Sequence, residues 1–409
     1  MPSDRVEARR PASPAAAPVA APRLVAALAA VVAMNLPLGT VYAYSVFLRP
    51  LEAVLGLGRA SLSFVFGLAI LCFTLGMNFG PLLYRRAPAP WLLAGAGALS
   101  AAGMAVAALA EGLGQLALGY GVLFGLGGGV AYVVLLQGMN LMLVRRRGLA
   151  NGFMVSLYPL GAMIGAPVFG WAIGQWGLRA TLGGLAATLA LATLLAALLA
   201  ALSGMRLAPP AGAAAGPAPA RRLAIFLRLW LVFFLAAAAG LTVLGQAAGM
   251  VEAYGGSTLL ALSATTAITG CVAGARIGGG WLADRFAAAR VLMAAHALAL
   301  AADALLLLFP GPLLAVGALA TIGLGYGLVS GSTAAAIGVY WGAAQYGRLA
   351  GRLYAAWCLA AITLPVVAGR LYDLRGDYAA VILIAACGNL LGLLVAASLP
   401  GRAEGASGT

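Results

Sequence analysis

At 409 residues, with 63% hydrophobic side chains, 8% charged ones and a mean hydropathy of +1.02, the chain is too apolar for two or three soluble domains and reads as a membrane protein. All 24 basic residues are arginine, which excludes a phosphate-cradling G-x-x-x-x-G-K-[ST] loop, a Schiff-base lysine and, with the first, ATP-driven transport by this chain alone. Apolar runs that continue for about twenty residues exclude an outer-membrane barrel, and the net charge of +14 marks topology instead of a nucleic-acid partner.

Residues 1–22 carry charge and proline without the apolar core and cleavage site of a signal peptide, and are expected to form an uncleaved tail. Six apolar runs follow, at about 24–48, 60–83, 91–110, 115–143, 149–174 and 179–203, and make a first half over 23–203. A stretch rich in Ala, Pro and Gly, 204–222, reads as a linker. Six more runs, at about 224–251, 258–283, 290–309, 311–340, 346–370 and 378–399, make a second half over 223–400, ahead of a tail at 401–409. The expected fold is an all-α membrane protein of twelve transmembrane helices in two six-helix pseudo-symmetric halves. With both termini in the cytoplasm, 18 arginines fall inside, five outside and one, Arg276, within a span, so the positive-inside rule selects this orientation in the cytoplasmic (inner) membrane.

The halves repeat. Gly80-Pro-Leu-Leu-Tyr84-Arg85 after the second span matches Gly280-Trp-Leu-Ala-Asp284-Arg285 after the eighth, and Arg147-Gly-Leu-Ala150 before the fifth matches Gly347-Arg-Leu-Ala350 before the eleventh, both at an offset of 200 residues. Gly125-Leu-Gly127 and Gly323-Leu-Gly325 agree within two residues of that offset. A parallel repeat of six-helix halves is the symmetry of a transporter that rocks one half against the other around a site near the midplane.

Arg276 lies farther from an interface than any other basic residue of a span. An arginine at a helix centre costs about 2.5–3.5 kcal/mol on insertion scales, so it is expected to face a water-filled cavity or a partner. Its guanidinium fork matches a carboxylate. The competing reading is a side chain about two turns inside the helix end that snorkels or pairs with Asp284. Gln137 and Asn140 in the fourth span, Tyr158 in the fifth, Gln246 in the seventh, and Tyr326 and Ser330 in the tenth are polar groups at membrane depth that either contact substrate or bond between helices. Trp357 in the eleventh offers a wall for a hydrocarbon tail, or plain packing. His296 and Asp303, seven residues apart on one face of the ninth span and about 10 Å apart along its axis, are candidates for proton coupling, against an Asp303 that only reaches for the interface. Glu252 reads as a rim charge. Cys72, Cys271, Cys358 and Cys387 sit in apolar runs without metal-ligand spacing and read as small buried hydrophobes; no cofactor or metal is expected, and a single histidine with no metal cluster argues against a membrane enzyme.

At Gly280-Trp-Leu-Ala-Asp284-Arg285 the chain resembles the signature loop of the major facilitator superfamily. The resemblance implies a conformational gate of Gly280, Asp284 and Arg285, echoed by Arg85, in which the aspartate and neighbouring arginines make charge-assisted bonds; Tyr84 in the first copy implies an unsymmetric gate. Tyr42-Ala-Tyr44-Ser-Val-Phe-Leu-Arg-Pro50, Gly240-Leu-Thr-Val-Leu-Gly-Gln246, Arg276 with Asp284, and Tyr354-Ala-Ala-Trp357 through Pro365 to Asp373 resemble the oxalate/formate antiporter and monocarboxylate transporter branch. This implies a carrier of small organic anions with Arg276 as carboxylate ligand and Tyr42, in preference to Tyr44, as a contact. Trp357 stands where oxalate carriers of that branch place a lysine, so a monocarboxylate of the lactate, pyruvate or formate type is expected, moved by proton symport or anion exchange through a carrier that functions as a monomer. Val272 stands where animal-type relatives carry an aspartate, and their coupling scheme does not transfer. Gly161-x-x-x-Gly165 with Pro167 and Gly170 resembles, with one extra residue, the fifth-span motif of proton-coupled drug exporters, which keeps a multidrug or metabolite exporter as an alternative. A non-transporting membrane sensor is the alternative from another class.

Overall fold

Inside a bilayer the backbone has no water to bond with, so each crossing is a helix. The computed structural model describes residues 20–143, 147–207, 219–342 and 345–400. The two expected tails, most of the linker, Arg145 and Arg146 lie outside the described residues. In chain order the elements are α1 (Ala21–Gly39), a 3-10 turn (Thr40–Ala43), α2 (Ser45–Leu55), α3 (Arg59–Leu83), α4 (Ala89–Ala108), the single turn α5 (Leu113–Leu116), a π segment (Ala117–Phe124), α6 (Gly125–Met142), α7 (Arg147–Ser203), α8 (Pro219–Ala253), α9 (Thr258–Arg285), α10 (Ala288–Leu308), α11 (Pro312–Trp341), α12 (Tyr346–Arg375) and α13 (Ala379–Ala397). Among the described residues, ten helical stretches are long and apolar enough to cross a membrane. The stretch Gly148–Ser203 is two crossings divided at Gly177, whose φ of 79° and ψ of 171° suit only glycine. With α9 this gives the twelve expected, in two sets of six.

Two irregularities place side chains at mid-membrane. Pro37 cannot donate to the helix ladder, and just beyond it the chain tightens into the 3-10 turn, with Thr40 Oγ1 donating to Pro37 O at 2.6 Å. The turn separates the two tyrosines: Tyr44 packs between Phe66 and Tyr120 and donates to Leu62 O at 2.9 Å, while Tyr42 faces the centre of the bundle. In the fourth crossing, the π segment brings Phe124, Gly125 and Gly128 to the same central space, and Ser100 Oγ donates to Phe124 O at 3.3 Å.

The halves meet along α7 with α9 and α11, and along α12 with α3 and α6. Glycine sets the closest approaches. A Cβ on Gly280 would run into the Gly148 carbonyl, one on Gly148 into the Gly280 carbonyl, and one on Gly351 into the Met77 backbone. The repeated sequence motifs therefore mark two related crossings, α7 on α9 and α12 on α3, both at the end of the bundle where α3 and α9 finish, here called the Asp284 end.

Candidate substrate cavity

Between the halves lies a cavity. The first half lines it with Leu38, Val41, Tyr42, Ala69, Ile70, Phe73, Phe124, Gly125, Gly128, Tyr132, Val155 and Tyr158, and the second with Phe233, Arg276, Tyr326, Ser330, Tyr354 and Trp357. Arg276 is the one charged side chain in this lining. It is 4% exposed, eight residues before Asp284 and hence about 12 Å deeper along α9.

The guanidinium is held from both halves. Nη2 donates to the Tyr326 hydroxyl at 3.0 Å, with the cation 5.3 Å from that ring's centroid, and Nη1 crosses the interface to Val155 O at 2.9 Å. Tyr42 and Tyr354 lie within electrostatic reach. Around this cation the rings of Tyr42, Phe73, Tyr132, Tyr158, Tyr354 and Trp357 meet mostly edge-on or tilted, with centroids 5.1 to 6.4 Å apart. Three donors of the lining are buried and unpartnered: Arg276 Nε, the Tyr158 hydroxyl and Trp357 Nε1. An unpaired buried donor costs about 1 to 3 kcal/mol, more if charged, so the site favours a guest rich in acceptor oxygens. The charge on Arg276 favours an anion.

At the Asp284 end the two crossings are latched by different chemistry. Among the described residues, no arginine is paired with Asp284. Its two carboxylate oxygens accept from Gly148 N at 2.7 Å and Leu149 N at 2.8 Å, at the N-terminus of α7, where the helix dipole and unpaired amides attract a negative charge. Arg285 instead stacks its guanidinium 3.7 Å from the centroid of the Trp281 ring, and Arg85 is exposed. In the related crossing, Gly347 N donates to Gln137 Oε1 at 2.7 Å near the start of α12, and Asn78 Nδ2 donates to Gly351 O at 3.0 Å. Tyr84, in the aspartate position, donates to Val133 O at 3.1 Å; burial raises its phenol above the ordinary value, so it acts as a neutral donor. Between these latches and the cavity, the hydroxyls of Tyr132 and Tyr354 bond across the halves at 2.9 Å.

Of the expected contacts, Arg276, Tyr42, Tyr158, Tyr326, Ser330 and Trp357 converge on the cavity. Gln137 does not: it sits in the latch, because its position in α6 lies a turn and a half beyond Tyr132 toward the Asp284 end. Gln246 lies outside the lining as well, accepting from the Tyr378 hydroxyl at 2.9 Å and donating to Pro365 O at 3.4 Å. Asn140 pairs reciprocally with Asn151 at 2.7 and 2.9 Å, an interhelical bond. His296 and Asp303 are buried behind the wall formed by α8 and do not reach the cavity. Cys72 and Cys358 are buried, Cys271 is half-buried, and Cys387 is exposed on α13. Sequence reading passed over Phe73, Phe233, Tyr132 and Tyr354 as site residues. Tyr354 had a signal, since it precedes Trp357 by three residues and shares its helix face.

The sequence model of the Major Facilitator Superfamily matches residues 24–361. Monocarboxylate transporter 3 of Rattus norvegicus is 36% identical over 138 residues, covering 32% of this chain and 28% of the relative, and the Mus musculus protein of that name matches equally. The match thus spans little more than a quarter of those relatives' length. Among solved structures, the human organic anion transporter MFSD10 (TETRAN) superposes with a TM-score of 0.70 at 17% identity, covering 92% of this chain and 100% of that one. FucP in the outward conformation gives 0.67 at 16% identity, covering 92% and 98%, and the proton:xylose symporter XylE 0.69 at 15%, covering 93% and 96%. At such identities the superpositions show the fold. The chain belongs to the major facilitator superfamily and is a multi-pass membrane transporter.

Proposed function

We propose that this carrier moves a small monocarboxylate by alternating access. The observation that carries the reading is Arg276: a single buried cation, facing a cavity whose lining holds no compensating carboxylate, with its own Nε, the Tyr158 hydroxyl and Trp357 Nε1 unpartnered. The partial match to proteins called monocarboxylate transporter 3 supports the same class. One cation favours one carboxylate, and the aromatic lining favours a short apolar body. A sugar would call for amide or acid partners, and a cationic drug for an acid; the lining residues include no Asp, Glu, Asn or Gln.

The latches and the tyrosine pair all lie between cavity and Asp284 end. With that end assigned to the cytoplasm by the arginine distribution, this arrangement reads as closed to the inside, in the inner membrane, with both termini cytoplasmic and the monomer as the working unit. Exchange of one organic anion for another is the favoured coupling, since no titrating acid or histidine lines the cavity. The second reading, proton symport through His296 and Asp303, has the membrane depth of those residues in its favour.

Uptake of lactate, pyruvate and formate into proteoliposomes by the wild type and by Arg276→Gln tests the proposal. Removing a buried, hydrogen-bonded charge from its anion costs about 2–5 kcal/mol, so at least tenfold loss is expected; equal rates sink the assignment. Preloading with a counter-anion, against imposing a pH gradient, separates exchange from symport, and a dye-efflux assay separates both from a multidrug exporter.

A further inference from the structure

Behind the cavity wall, three helices of the second half share one buried polar chain. Asn389 Nδ2 of α13 donates to Asp303 Oδ2 of α10 at 2.8 Å, Asn389 Oδ1 lies 3.0 Å from His296 Nδ1, and His296 Nε2 lies 3.3 Å from Val232 O of α8. Asp303 is 0% exposed and His296 and Asn389 each 1%; Asp303 Oδ1 has no partner. A Cβ on Gly392 would collide with the imidazole, so that glycine makes room for the ring.

Hydrogen-bond direction, together with the cost of an unbalanced buried charge, sets the proton count. The Val232 carbonyl only accepts, so Nε2 carries hydrogen. An asparagine amide presents an acceptor on one side and donors on the other. With its oxygen toward Nδ1, the ring must carry hydrogen on both nitrogens, and the amide NH2 then needs only an acceptor on Asp303; ionisation of that carboxylate is what balances the buried imidazolium. With the amide turned by half a turn, its NH2 meets a bare Nδ1 and its oxygen meets a protonated Asp303. In both arrangements the group holds one proton beyond carboxylate plus neutral imidazole, and its net charge is zero. Among the described residues of α8, α9, α10, α11 and α13, nothing else balances it. α11 and α13 contain no charged residue, and their other titratable groups are Tyr326 and Tyr340, which bond to Arg276 and to Pro400 O, and the exposed Cys387. On α8, Arg221, Arg222, Arg228 and Glu252 lie toward the helix ends; on α9, Arg276 turns to the cavity and Asp284 and Arg285 lie at the last turn; on α10, Arg290 lies in the first turn.

We propose that Asp303, Asn389 and His296 form a sealed proton-binding site that holds one proton without net charge and keeps it through the transport cycle. All its members belong to one half, which moves as a body, and none lines the cavity. Its role is to fasten α8, whose Phe233 follows Val232 into the cavity wall, to α10 and α13. The inference does not depend on which substrate the cavity takes.

His296 is the only histidine in the chain, so ¹⁵N-histidine labelling of protein purified without a histidine tag reports on this residue alone. In nanodiscs, the two ring nitrogens are expected to keep one set of shifts from about pH 5.5 to 8.5, a range in which a free imidazole titrates, and to be unmoved by lactate or pyruvate. A ring that titrates within that range, or responds to either acid, overturns the proposal and makes the site part of coupling. As a second readout, Asp303→Leu and His296→Leu are each expected to lower the melting temperature by several degrees, with the double variant losing clearly less than the sum; additive losses overturn the shared proton. Should a single variant fail to fold, the labelled wild type still decides.

Discussion

The guanidinium of Arg276 reaches the carbonyl of Val155 across the interface at 2.9 Å, and that oxygen is available because Pro159, four residues on in α7, has no N–H to offer it. A proline in one half thus prepares an acceptor for the cavity-facing cation of the other. The cation is oriented before any anion arrives, which lowers the cost of binding one.

Pro159→Ala restores the helical donor and makes it compete with Arg276 for Val155 O. The helix itself gains, since proline in a helix interior costs about 3 kcal/mol, while the charge-assisted tie, about 1.5 to 3 kcal/mol, is weakened. The expected result is a melting temperature at or above wild type with KM raised about fivefold or more. Initial rates over a concentration series check it; an unchanged KM shows that the tie does not position the guanidinium.

The latches predict an unequal response. Asp284→Ala removes a charged acceptor from two amides at a helix N-terminus, whereas Gln137→Ala removes a neutral acceptor from one. Both are expected to shift the carrier toward opening at the Asp284 end, the first by about 1–2 kcal/mol and the second by less. Labelling of single cysteines placed below the Tyr132–Tyr354 pair measures the opening. Gln137→Ala should also leave the relative rates for different acids as they are; a changed order of substrates would restore glutamine to the ligand set.

Twelve crossings, two halves and the buried cation were readable because a bilayer enforces long apolar runs and makes an intramembrane arginine conspicuous. The repeat at 200 residues also pointed to the right places, since both copies mark glycine-mediated crossings. That Gln137 and Gln246 lie outside the cavity lining was not legible: a polar residue in a span announces that it needs a partner, not which partner, and a turn or two along the helix separates cavity from latch. Tyr132 and Tyr354 were invisible as a pair because they lie 222 residues apart and meet only through the packing of one half on the other. Asn389 carries no charge, and nothing in α13 alone marks it as the bridge between two residues of α10.

Glycines in similar sequence surroundings separate sharply in space. Gly280→Ala would drive a methyl group into the Gly148 carbonyl, whereas Gly170→Ala meets nothing within 4 Å. The first is expected to abolish closure and reduce transport at least tenfold, and the second to leave rate and expression near wild type. Transport assays normalised to reconstituted protein decide; equal tolerance at both positions would mean that α7 and α9 do not approach this closely during turnover.

Trp357→Phe keeps an aromatic wall against Tyr42 and Phe73 and removes only the indole N–H, which has no partner in the structure. If Nε1 serves the substrate, the variant loses a hydrogen bond of about 0.5–1.5 kcal/mol, a factor of roughly two to twelve in affinity. The loss should be confined to acids carrying a second oxygen near the carboxylate. Lactate and pyruvate, which offer that oxygen, are expected to weaken, while acetate and formate, which hold only the carboxylate for Arg276, should change little. Counterflow with each acid separates these cases, and a uniform loss across all of them would assign Trp357 to packing.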